Sequence, residues 1–75
     1  MEKIRKNVAG IDIGAKEVFV YIESIGVKKF LTFTEDLENL VELLIASGIE
    51  TAAMEATGVY WNILYDLMEN AGIDV

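Results

Sequence analysis

Two acidic residues stand where the neighbouring sequence gives them chemistry to do. Asp12 lies in Val8-Ala9-Gly10-Ile11-Asp12-Ile13, a short apolar run closed by Gly14, and Glu55 ends the segment from Glu50 to Glu55. Two carboxylates held close together repel, and one takes up a proton unless a cation sits between them. Hard divalent cations such as Mg²⁺ accept oxygen ligands, often one or two protein carboxylates together with phosphate and water. Metal-assisted phosphoryl transfer is therefore the natural chemistry of such a pair. The plainer alternative is that both acids are solvated strand ends, or that Glu55 caps the helix after it. Asp12 is the less ordinary of the two, because Ile11 and Ile13 flank it and a buried carboxylate needs compensation.

Other reactive groups are few. Lys16 follows Asp12 by four positions and can reach a phosphate or the carboxylates, or can be an ordinary surface lysine. Tyr60 and Trp61 can stack a nucleobase, or can serve as core or interface anchors. Glu35, Asp36, Glu38, Glu42, Asp66 and Glu69 read as the solvated faces of helices. The chain has no cysteine and no histidine, which excludes a Cys/His zinc site, a Ser-His-Asp triad and a Cys-His dyad within it. A formal net charge of −7 leaves no basic patch of the kind that supplies most nucleic-acid affinity. Lys3, Arg5 and Lys6, and the pair Lys28 and Lys29, are the nearest approach to one.

The elements that must position these groups follow from periodicity. At 75 residues the chain holds one domain at most, and 53% hydrophobic with 25% charged residues is a globular composition. Val8 to Ile13 reads as a strand buried on both faces. Val18-Phe19-Val20-Tyr21-Ile22 is β-branched and aromatic, and the short link Gly14 to Glu17 predicts an antiparallel hairpin between the two. Ser24-Ile25-Gly26 makes a second turn, and Val27 to Phe33 a third strand with Val27, Lys29, Leu31 and Phe33 on one side. Leu37, Leu40, Val41, Leu44 and Ile45 then recur with helical spacing, with Thr34 as N-cap and Gly48 as the stop. A fourth strand spans about Glu50 to Glu55. A second helix starts near Thr57, carries Tyr60, Leu64, Leu67, Met68 and Ala71 on one stripe, and stops at Gly72.

Ser47-Gly48-Ile49-Glu50 and Ala71-Gly72-Ile73-Asp74 share one form, so Ile73 is expected to begin a fifth strand that the sequence leaves unfinished. The expected order is β-β-β-α-β-α-(β), a mixed α/β sheet. Ligands of open α/β sheets gather at the carboxyl ends of strands. If the first and fourth strands are neighbours, Asp12 and Glu55 have backbones about 4.8 Å apart. No signal peptide and no membrane-spanning run is visible, so a soluble, cytoplasmic protein is expected.

Gly10-Ile11-Asp12-Ile13-Gly14-Ala15-Lys16-Glu17 and Ala53-Met54-Glu55-Ala56-Thr57-Gly58-Val59-Tyr60-Trp61 resemble the two N-terminal signatures of the DEDD transposases. These are insertion-sequence enzymes of bacteria and archaea, related to the Piv DNA invertases. The resemblance covers nearly the whole chain and implies a RuvC-like domain of the RNase H-like fold. It implies that Asp12 and Glu55 are the first two catalytic carboxylates and bind Mg²⁺ or Mn²⁺, with two aspartates on a later helix completing the set beyond Val75. It further implies a C-terminal domain with a serine nucleophile, and a structured RNA that selects DNA partners.

Two rival readings differ in class. One is the nucleotide-binding lobe of an actin-like ATPase or sugar kinase, which shares the Asp-x-Gly turn and the element order. Its phosphate turn is rich in Gly, Ser and Thr, whereas Ala15-Lys16-Glu17 makes a poorer cradle. The other is a non-catalytic assembly module that pairs with another copy through Trp61 and an open sheet edge. The open edge makes a homo-oligomer the expectation.

Overall fold

The link between the first two strands is too short for anything but a hairpin. A computed structural model, which describes residues 7–56 and 61–75, shows β1 (Val8–Ile13) and β2 (Glu17–Ile22) joined in this way. Their antiparallel register runs from Ala9 opposite Ile22 to Ile13 opposite Val18. The Gly14 N–H donates to the Glu17 carbonyl at 2.8 Å and closes the turn. β3 (Gly26–Leu31) continues the meander along the far side of β2. α1 (Thr34–Ala46) then carries the chain back across the sheet. β4 (Thr51–Ala56) enters parallel to β1, which gives a sheet order β3-β2-β1-β4. α2 (Trp61–Asn70) follows. The chain is thus α/β, with a four-stranded mixed sheet and two helices among the described residues.

One core holds these parts together, and it lies on one side of the sheet. Ala9, Ile11, Ile13, Val18, Val20, Ile22 and Ala52 point into it from the strands. Leu37, Leu40, Val41 and Leu44 meet them from α1, and Leu64 and Met68 from α2. The alternation of a strand sends each intervening side chain the other way. β1 is therefore buried on one face only, against the expectation of burial on both. The small residues of β4 divide likewise: Ala52 is under the helices and Ala53 is exposed. Ile45 and Ala71 also fall outside the core. Ile45 is 54% exposed, so the apolar stripe of α1 is narrower than its spacing suggests.

Both helices stop by the same device. Gly48 and Gly72 adopt φ of 74° and 83°, in the left-handed region that only glycine enters without a steric penalty. After α1 the Ile49 N–H donates to the Leu44 carbonyl at 2.9 Å and the Gly48 N–H to the Ile45 carbonyl at 3.0 Å. After α2 the Ile73 N–H donates to Met68 at 2.9 Å and the Gly72 N–H to Glu69 at 3.0 Å. These are paired Schellman bonds, completed by a buried isoleucine beyond each glycine. Asp74 then forms an isolated parallel bridge to Thr51 on the outer side of β4, where the repeat predicts the start of a fifth strand. The Ala52 N–H donates to the Asp74 carbonyl at 2.8 Å, and the Asp74 N–H to the Glu50 carbonyl at 2.9 Å. Gly48→Ala forces a side chain into the left-handed region and should destabilise the chain by about 1–2 kcal/mol. A denaturation midpoint unchanged from wild type would remove the αL stop from this account.

The start of α1 departs from expectation. Phe33, not Thr34, occupies the N-cap position, in extended conformation and without a side-chain capping bond. The first-turn acid does other work. The Leu31 N–H, at the end of edge strand β3, donates to Asp36 Oδ2 at 3.1 Å and ties that strand to the helix. Asp36 is thus more than part of a solvated face. Among the described residues no helix is long and apolar enough to cross a membrane.

Candidate functional site

The face of the sheet that no other described residues cover holds the candidate site. Register fixes its layout in two transverse rows. Glu55, Asp12, Phe19 and Lys29 lie side by side across β4, β1, β2 and β3. In the next row lie Ala53, Gly10, Tyr21 and Val27. Asp12 and Glu55 are direct partners between parallel strands, so their backbones are about 4.8 Å apart. Both side chains are exposed. The flanking Ile11 and Ile13 point into the core and send Asp12 to the open face, so the burial anticipated for this carboxylate does not arise. Among the described residues no polar or charged side chain is buried.

A concavity of about 580 Å³ follows these rows, lined by Gly10, Asp12, Phe19, Tyr21, Ala53 and Glu55 among others. A second, of about 600 Å³, lies around the β1–β2 turn, and its lining includes Asp12, Gly14, Lys16 and Phe19. Asp12 borders both. The turn thus brings exposed Lys16 to the same end of the sheet as the two acids. Glu17 and Lys29 pair diagonally across β2 and β3 at 3.5 Å, with side chains 44% and 56% exposed. At that exposure the pair contributes little to stability. Tyr60 lies outside the described residues, as does the side chain of Trp61, and so do Lys3, Arg5 and Lys6.

The donor set suits a hard cation. Two carboxylates on adjacent strands present oxygen atoms to one side and leave the rest of an Mg²⁺ coordination sphere to water and phosphate. Among the described residues no group of three or more Asp, Glu, His or Cys gathers to hold a metal ion; Asp12 and Glu55 are a pair of register partners. Phe19, Tyr21 and Lys29 belong to the same face, and motif reading does not single them out. Their signal is in the hairpin: counting outward from Gly14 opposite Glu17 puts Ile13 opposite Val18 and Asp12 opposite Phe19.

What this fold and face define is an α/β domain with paired carboxylates at the carboxyl ends of two parallel strands. Family models, curated proteins and solved structures provide no match to the chain.

Proposed function

We propose that this chain supplies the first two carboxylates of a RuvC-like catalytic domain of the DEDD transposase kind, an RNase H-like fold that cuts and rejoins DNA by phosphoryl transfer. The observation that carries the reading is the register of β1 and β4, which sets Asp12 beside Glu55 on an open face. The sheet order, with β1 antiparallel to β2 and parallel to β4, supports it. So do the two motifs around Asp12 and Glu55.

Asp12 and Glu55 would be the residues that hold Mg²⁺ or Mn²⁺, their negative charges offsetting part of the ion's. When bound, the ion polarises a phosphoryl oxygen and activates the attacking group. Lys16, at the turn, stands where it can meet a phosphate oxygen near the pair. Two carboxylates alone bind such an ion weakly, and tight binding requires ligands from outside this sequence. DNA and a structured RNA are the partners on this reading, in the cytoplasm of a bacterium or archaeon. The net charge of −7 leaves most of the grip on nucleic acid to other parts of the protein.

An NMR titration with Mn²⁺, followed by Mg²⁺ with ATP, tests the proposal. Paramagnetic broadening centred on Asp12 and Glu55, with no further effect of ATP, is the expected outcome. Shifts confined to Gly14–Glu17 that require ATP would favour the kinase-like lobe instead. No localised cation effect would sink the metal site.

A further inference from the structure

We propose that Phe19 is a positioning residue for the carboxylate pair: its ring stands between Asp12 and Lys29 and keeps that lysine off the cation site. This rests on the metal-site reading above and adds to it what holds the site open.

Lys29 has two acids within reach on the open face. Glu17 is its diagonal neighbour on β2, about 7–8 Å away along the sheet, and the two side chains pair at 3.5 Å. Asp12 lies two strands from Lys29 in the same row, at about 10 Å. A lysine and an aspartate side chain can close that span between them. Charge favours the longer reach. Asp12 and Glu55 are register partners, and two adjacent carboxylates draw a cation more strongly than Glu17 does alone. Lys29 nevertheless pairs with Glu17. What occupies the direct path to Asp12 is Phe19, the register partner of both residues.

Core packing does not account for an aromatic residue at this position. Val18 and Val20 on either side are fully buried, while Phe19 faces the other way and is 41% exposed. Its ring borders both concavities, as Asp12 does. It flanks Asp12 on the side away from Glu55, so the space over the pair stays open to further ligands. A lysine seated on Asp12 would compete for the oxygen atoms that the divalent ion needs and would repel the ion. Phe19 commits Lys29 to Glu17 instead. Lys16 approaches the acids from the turn, where Phe19 does not intervene, so its contribution is separable by its own variant.

The test measures Mn²⁺ affinity from the broadening at Asp12 and Glu55 in the 75-residue chain. Phe19→Ala should weaken binding by about 2- to 5-fold, the worth of an exposed ion pair. Phe19→Leu keeps the bulk and should bind as wild type does. Lys29→Ala alone should change little, and Lys29→Ala added to Phe19→Ala should restore the affinity. In the metal-free chain the carboxyl carbon resonance of Asp12 should move in Phe19→Ala and return in the double variant. Phe19→Thr, which suits a strand, opens the same path should Phe19→Ala fail to fold. If the opened variant binds as wild type does, or if Lys29→Ala does not rescue it, the partition fails and the metal site stands. Rescue by Lys16→Ala in place of Lys29→Ala would overturn it equally. If wild type shows no localised Mn²⁺ effect, the metal reading fails, and the metal-free shifts alone decide whether Phe19 separates Lys29 from Asp12.

Discussion

Asp12→Asn is expected to weaken Mn²⁺ binding at the carboxylate pair by about tenfold or more, and to leave the domain as stable as before or slightly more so. Changes in groups that merely support a metal ligand typically cost about 10- to 100-fold in affinity, so loss of a direct ligand should do at least as much. The stability half of the prediction follows from exposure. Asp12 stands in solvent on the open face, and two like charges about 4 Å apart in water repel by about 1 kcal/mol, less in salt. Asparagine removes that repulsion at nearly constant volume. The two readouts separate a ligand from a structural acid. A marked fall in melting temperature would make Asp12 structural, and undiminished broadening would place the ion elsewhere. Glu55→Gln offers an internal check. If both acids hold one ion, the double variant should lose little more than either single one, since coupled partners are not additive. In the full enzyme of the proposed kind, recombination should stop in each variant.

Local signals carried the sequence reading further than long-range ones. The order of elements and the stops at Gly48 and Gly72 were legible because each depends on a few adjacent residues. The second Gly-Ile-acid segment predicted the start of a further strand, and the structure shows an isolated bridge there, between Asp74 and Thr51. The antiparallel pairing of the hairpin was legible too, and its register, which places Phe19 beside Asp12, is the structure's addition. Burial was harder. The apolar run from Val8 to Ile13 suggests a strand enclosed on both sides, yet enclosure depends on where the helices pack, and both lie on one face. The adjacency of β1 and β4 was conditional for the same reason, since no local signal reports which strand sits next to which. Ile45 looks like part of a helical stripe and is exposed, because the core reaches only the face shared with Leu37, Leu40, Val41 and Leu44. At Phe33 a good capping residue one position later gave the wrong boundary, in a region where assignments commonly differ by a residue.

The one-sided core makes a sharp contrast between two neighbours on α1. Leu44→Ala should destabilise the chain by about 2–5 kcal/mol, whereas Ile45→Ala should stay within about 0.5 kcal/mol of wild type. Leu44 is fully buried, and its carbonyl also accepts the Ile49 N–H that ends the helix. Truncation leaves a cavity where strand and helix side chains meet, in the core that Leu44 shares with Ile49. Ile45 projects to solvent and carries no such role, so its loss exposes little and removes little. The scale of the first effect matters because the domain is small. At roughly 0.05–0.15 kcal/mol per residue, a chain of this length is stable by about 4–11 kcal/mol. A loss of 2–5 kcal/mol, at about 4–8 °C per kcal/mol for a domain of this size, should lower the melting temperature by roughly 10–40 °C. Comparable shifts in the two variants, measured by thermal circular dichroism, would mean that α1 is buried on both sides.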